Sequence, residues 1–205
     1  MTMAKKLTES EFLKKVLELS IPDNLIGRCF NEKTAEDTKL IIIGTITPPK
    51  TEYFYCSYYN RIYGYIDEAL AKASKTGPKT LKELKIGLQE VNNSKIKIRL
   101  LPKSDSKKNI EQIKTILSTN GIAFLDVMEK VIRKKVSPYD KDIMYYTLAT
   151  SYFDDIKNKD GITFIANSQL AKQCAEEMGL KDVILLSQRA DKKEKWVNAI
   201  SEAIK

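Results

Sequence analysis

Four short apolar runs punctuate the chain: Leu40–Thr45 (LIIIGT), Gly121–Val127 (GIAFLDV), Gly161–Asn167 (GITFIAN) and Asp182–Gln188 (DVILLSQ). None alternates polar with apolar residues, each is rich in Ile, Leu, Val or Phe, and three end at a polar side chain. That is the pattern of parallel strands covered on both faces. Before, between and after them the period changes to that of amphipathic helices, in TESEFLKKVLEL, IYGYIDEALAKA, KKNIEQIKTILS, QLAKQCAEEMGL and KKEKWVNAISEAIK. The first of these opens on Thr8 with Glu11 three residues later, the spacing of a capping box. Strands alternating with helices predict an α/β fold: three layers, α/β/α, around a four-stranded parallel sheet. Right-handed crossovers bring the carboxyl ends of all four strands to one edge, where open parallel sheets bind ligands.

No Pro/Gly/Ser linker, repeat or low-complexity tract divides the 205 residues, so one domain spanning 1–205 is expected. Residues 75–108 interrupt the rhythm as a long basic insertion. They read either as a solvated helix with a small hairpin or as a phosphate-contacting surface. No apolar run approaches membrane-spanning length and MTMAKKLTESEF has no signal-peptide core, so a cytoplasmic protein without a membrane partner is expected.

Lys and Arg exceed Asp and Glu by 35 to 27, a net charge of +8 that suits a polyanion such as nucleic acid and is also common in lysine-rich proteomes. Cys29, Cys56 and Cys174 are scattered, and there is no histidine. Neither a disulfide framework nor a four-ligand metal site assembles from them, and Ser-His, Cys-His and zinc-hydrolase mechanisms are excluded. No metal and no cofactor are expected, which leaves chemistry to carboxylates, amides, hydroxyls, Lys and Arg. The phosphate cradles G-x-x-x-x-G-K-[ST] and G-x-G-x-x-G are absent, which weighs against an unrelated α/β nucleotide-binding enzyme.

Five tyrosines and one phenylalanine crowd the loop between Tyr53 and Tyr63, directly after the first strand. Buried phenols need hydrogen-bond partners, so a flat aromatic ligand explains the crowding better than packing alone. The order of Gly44, Thr45, Pro48, the pair Phe54 and Tyr55, then Asn60 and Arg61, followed by GIAFLDV, IANS and LLSQRA with a Trp-bearing final helix, resembles the uracil-DNA glycosylase superfamily. The nearest branch is the hypoxanthine-DNA glycosylase type, which carries a Gly-Ser-x-Pro turn, a Tyr-Tyr pair before an Asn-x-Phe-Trp helix start, a Gly-Ile-Ala-Leu-Trp-Asp-Val strand and a Leu-Pro-Ser-rich loop. The resemblance runs from about Leu40 to Trp196.

It implies an enzyme that flips a nucleotide out of duplex DNA, stacks and reads the base, and hydrolyses the N-glycosidic bond as a monomer. Asn60 corresponds to the asparagine that positions the water, and its alternative role is to cap a helix beginning at Arg61. Thr47, immediately before Pro48, stands where other branches carry Asp or Asn and is the second catalytic candidate, without the strong base that an acidic residue would supply. Gly44, Thr45 and Pro48 form the turn against the substrate, and Phe54 and Tyr55 supply the stacking face or pack beneath the loop. Tyr63 reads better as core. Asp126 would accept from a ring N–H such as N1–H of hypoxanthine or N3–H of uracil, or would cap a following helix, VMEKVIRKK. Asn167 is a further candidate for binding the substrate, and with Ser168 it stands at a strand-to-helix junction, where capping is the simpler role. In the last loop Ser187 and Gln188 would bond phosphates, Arg189 would fill the vacated stack or contact phosphate, and Arg61 would meet the backbone. That loop has neither the Pro nor the His of relatives, so a catalytically weak nucleic-acid binder on the same fold is the alternative.

Overall fold

Leu40, Ile41, Ile42 and Ile43 have no solvent exposure. Four consecutive aliphatic residues reach that state in a strand paired on both sides and covered on both faces. The computed structural model describes residues 4–47, 53–54, 61–73, 81, 88–92, 95–99, 103–137 and 139–205, with the side chains of 88–92, 95–99, 103–107 and 190 outside the description. Its strands are β1 (Lys5–Lys6), β2 (Ile26–Arg28), β3 (Leu40–Gly44), β4 (Leu88–Asn92), β5 (Lys95–Arg99), β6 (Ile122–Asp126), β7 (Met128–Arg133), β8 (Ile143–Leu148), β9 (Thr163–Ala166) and β10 (Ile184–Leu185). Its helices are α1 (Glu9–Glu18), α2 (Ile62–Lys72), α3 (Lys103–Thr119), α4 (Thr150–Asp154), α5 (Gln169–Glu177) and α6 (Lys193–Ala203).

The four apolar runs form one sheet in the order β10-β9-β3-β6, parallel throughout, so the expected α/β class with its four-stranded parallel sheet holds. The last run is shorter than expected. Only Ile184 and Leu185 pair, against Ile165 and Ala166, and both are exposed, as befits a sheet edge. Two compact units divide the chain. The first holds the described residues of 1–33, 42–50 and 124–185, the second those of 34–41, 51–123 and 186–205.

In the first unit, α1 starts as the sequence dictates. The Thr8 hydroxyl accepts from the Glu11 N–H at 3.4 Å, while the Thr8 N–H donates to Glu11 Oε2 at 2.8 Å. This unit also contains a second, mixed sheet in the order β1-β8-β7-β2, which corrects the expectation of a helix over VMEKVIRKK. The apolar pairs Val127/Met128 and Val131/Ile132 recur four residues apart, as on a helix. In β7 they are reconciled with an extended chain by register shifts between Met128 and Lys130 and between Ile132 and Arg133. Pairing with β8 and β2 then outweighs the helix propensity of Glu, Lys and Arg.

In the second unit, α2 and α6 pack through Tyr65 and Trp196, whose ring centroids lie 6.3 Å apart, and Lys72 Nζ donates to Asn198 Oδ1 at 2.7 Å. The backbone of the basic insertion contains the hairpin β4–β5 and leads into α3. Its side chains lie outside the described residues. Ahead of β6, Gly121 adopts φ +67°, and its carbonyl accepts from the N–H groups of Lys39 and Leu40 at 2.8 and 3.0 Å. An added Cβ would sit 3.0 Å from the Asp37 carbonyl oxygen, a backbone atom that cannot swing aside. Gly121→Ala is therefore expected to lower unfolding free energy by about 1–3 kcal/mol in urea denaturation, and an unchanged midpoint would show that the turn relaxes freely. Among the described residues no helix is long and apolar enough to cross a membrane.

Candidate active site

Because β3, β6, β9 and β10 are parallel, their carboxyl ends share one edge of the sheet. Gly44 ends β3, and its carbonyl accepts from the Val127 N–H at 2.9 Å. On the other side of β3 the Ile43 carbonyl accepts from the Asn167 N–H, also at 2.9 Å. This register sets Asp126 and Asn167 beside the turn that carries Thr45 and Thr47.

Asp126 has no solvent exposure. Its Oδ2 accepts from the Thr47 N–H at 2.7 Å and from the Thr47 hydroxyl at 2.8 Å, two charge-assisted bonds that fix the turn just before Pro48. The role of capping a following helix falls away, since β7 follows. Thr47 thereby commits its one hydroxyl proton to Asp126 and acts as a donor, not as a base. The backbone of Asp126 is matched by a side chain that sequence reasoning missed. Asn31 Nδ2 donates to the Asp126 carbonyl at 2.8 Å, and the Asp126 N–H donates to Asn31 Oδ1 at 2.7 Å. β6 is an edge strand, and this amide completes its ladder as a neighbouring strand would.

Thr45 is held from two other directions. Its hydroxyl donates to Asp140 Oδ2 at 2.9 Å, and its Oγ1 lies 2.9 Å from Ser168 Oγ. Ser168 is the N-cap of α5, accepting from the Ala171 N–H at 3.0 Å, so the capping role applies to Ser168. The half-buried Asn167 precedes the cap. Asp140 stands in a 3-10 turn, Asp140–Asp142, whose preceding carbonyl, that of Tyr139, accepts from Nη1 of the buried Arg133 at 3.2 Å. Burial pushes the Asp140 carboxyl above its ordinary range, against the lowering effects of the Thr45 bond, the Arg133 guanidinium and the Ser168 bond. Asp140 and Arg133 carry no local motif. The segment Ser137-Pro138-Tyr139-Asp140 reads at most as a turn.

The remaining expected residues lie in the second unit or outside the described residues. Phe54 is buried, edge-on to Tyr53 at 5.2 Å between centroids, and its carbonyl accepts from the hydroxyl of the fully buried Tyr63. Lys114 Nζ lies 5.6 Å from the centre of the Tyr53 ring. Arg61 is exposed at the start of α2, in the cap position and without a side-chain cap bond. The last loop is pinned through its backbone: Trp196 Nε1 donates to the Ser187 carbonyl at 3.0 Å and the Tyr65 hydroxyl to the Arg189 carbonyl at 3.4 Å. Gln188 is half-buried. The Arg189 side chain points outward, 75% exposed, and pairs with Asp191 at 3.2 Å. Asn60, Pro48 and Tyr55 lie outside the described residues.

No protein-family model matches the chain, and no curated protein matches it. Among solved structures it is similar to the solution NMR structure of a protein from Methanosarcina acetivorans whose assignment as a uracil DNA glycosylase is itself provisional. The TM-score is 0.52 at 14% identity, and the match covers 87% of this chain and 98% of the other. At that identity the likeness carries architecture alone, so the conclusion is that the chain has the α/β fold of this uracil DNA glycosylase-like neighbour.

Proposed function

We propose that the chain is a monofunctional DNA glycosylase that flips a deaminated base, uracil or hypoxanthine, out of duplex DNA and hydrolyses its N-glycosidic bond. The observation that carries this reading is the buried Asp126 carboxylate at the end of the second parallel strand, accepting both Thr47 donors from the turn after the first. The Thr47 hydroxyl there stands in for a donor of the base: a ring N–H that displaces it meets the same acceptor, while a base edge offering only acceptors is repelled. The glycosylase-like fold and the charge of +8 support DNA as the substrate.

In this reading Tyr55 holds the base by stacking, Phe54 stays buried as in the free protein, and Arg61, Ser187 and Gln188 hold the backbone. The C1′–N bond breaks with its electron pair leaving on the base, stabilised by backbone N–H groups of a loop that lacks histidine. The sugar becomes oxocarbenium-like beside the DNA's own phosphates. A water oriented by Asn60 then adds its oxygen to C1′ and releases a proton to solvent as the abasic sugar forms. An amide suffices, because orientation rather than strong base catalysis is required once the base has left.

The test is incubation of the chain with labelled single- and double-stranded DNA carrying uracil, hypoxanthine or xanthine, followed by alkali. Strand cleavage at one or more lesions is expected. Absence of abasic product from all of them sinks the enzyme reading, and tight duplex binding under the same conditions would then leave a nucleic-acid-binding protein on this fold.

A further inference from the structure

A glycosylase without histidine places unusual weight on its carboxylates, and one of them lies in a segment with no motif. Proton counting around Asp140 gives its surroundings a direction. Thr45 has a single hydroxyl proton, and it goes to Asp140 Oδ2 at 2.9 Å. The Ser168 proton is then left for Thr45 Oγ1 at 2.9 Å or for the carboxylate itself, and Ser168 Oγ in turn accepts the Ala171 N–H at 3.0 Å. The protons all point one way: from the Ala171 N–H to Ser168, and from the Ser168 and Thr45 hydroxyls toward the carboxylate. An ionised carboxylate only accepts, so it enforces that order. A protonated one can donate, and the chain loses its polarity.

We propose that Asp140 is a positioning residue of this site: its ionised carboxylate, acting through the hydroxyls of Thr45 and Ser168, locks the turn after β3 to the first turn of α5. The assignment rests on the glycosylase reading for its consequence in catalysis and on the free protein for its geometry. Thr45 and Thr47 flank Ile46, and each bonds a different carboxylate, Asp140 and Asp126, so the turn leading to Pro48 is tied at two points. The two ties draw on different elements. Among the described residues, the charged and titratable groups facing Asp140 are the Arg133 guanidinium of β7 and the Cys174 thiol of α5, while Lys141 of its own turn lies over the Tyr139 ring.

The signs of the two expected effects are opposite. A carboxyl whose folded pKa lies above its unfolded value contributes most to stability while protonated, and stability falls as pH rises from the unfolded pKa through the folded one. Asp140→Asn resembles the protonated form and keeps the shape, so at pH 7 its melting temperature should equal or exceed that of the wild type. Catalysis should move the other way, since an amide does not impose the direction of the hydroxyl chain. A residue kept for folding loses both together.

The experiment compares the full-length wild type with Asp140→Asn in three measurements. With a uracil duplex, the single-turnover rate of the variant at pH 7 should fall about 10- to 100-fold while affinity for an uncleavable fluorinated analogue changes less than about threefold, and the acid limb of the wild-type pH profile should disappear. In NMR of the free protein, the Thr45 and Ala171 amide signals of the wild type should titrate together on the acid side, and those of the variant should stay flat. Melting at pH 7 supplies the third reading. A wild-type-like rate with its acid limb intact overturns the assignment, as do amides without a shared titration or a melting temperature lowered by more than about 5 °C, which corresponds to a structural loss of about 2 kcal/mol or more. If the wild type excises no base yet its amides titrate together, the glycosylase reading falls and the positioning assignment stands on the free protein.

Discussion

Asp126→Ala is expected to lower the unfolding free energy by about 3–5 kcal/mol, because it leaves two donors, the Thr47 N–H and hydroxyl, in a dry site without the acceptor that satisfies both. Truncation also opens a space at the end of β6, where Val127 and Leu125 are fully covered. Asp126→Asn separates acceptor from charge. Its amide oxygen can take both Thr47 bonds, so its loss should be less than half that of the alanine variant. In the proposed reaction the alanine variant should also lose excision of any base read through a ring N–H. Urea denaturation of the three proteins decides the point. An alanine variant within about 1 kcal/mol of the wild type would mean that water enters and satisfies Thr47, and Asp126 would then no longer be a rigid anchor for the turn.

Asn60→Ala is expected to reduce the single-turnover excision rate about 10²- to 10³-fold with little change in duplex affinity, the loss typical of removing one group that orients or stabilises the reacting atoms. Arg189→Ala should behave differently. Its guanidinium is exposed and, among the described residues, engaged in a surface pair with Asp191, a partner that is given up easily when the side chain moves. The loop backbone beneath it is held by Trp196 and Tyr65, so deleting the side chain leaves the loop in position. The expected loss is about tenfold, in the flipping step and in affinity rather than in bond cleavage. Measuring rate at saturating enzyme and affinity on an uncleavable duplex separates the two. If Arg189→Ala costs more in rate than Asn60→Ala, the assignment of the water-positioning role to Asn60 is wrong.

The features that could be read in the sequence are those whose cause is local. The capping box at Thr8 and Glu11 forms as spaced, because donor and acceptor lie within one helical turn. Ser168 caps α5 for the same reason. β3 is visible because a strand buried on both faces needs an unbroken aliphatic run, and Leu40–Ile43 is one. The mixed sheet was hidden because its strands are half-buried and bulged, so the spacing of Val127, Met128, Val131 and Ile132 imitates a helix. Asn31 was hidden because its amide serves a backbone 95 residues away. The aromatic loop is only partly accounted for: Tyr63 and Phe54 are buried in the second unit, with the Tyr63 phenol satisfied by the Phe54 carbonyl.

By itself, the sequence determined the order of the four parallel strands and of the five longer helices, the caps at Thr8 and Ser168, and the absence of histidine from any chemistry. Each depends on short-range periodicity, on turn chemistry or on composition, and none requires knowing which segments meet. Only the tertiary structure decided that Thr47 belongs to Asp126, that Thr45 joins Asp140 to Ser168, and that a segment rich in helix formers is a strand. Those outcomes depend on hydrogen bonds between groups 79 to 123 positions apart, and on pairing energies that exceed local preference once the chain has folded.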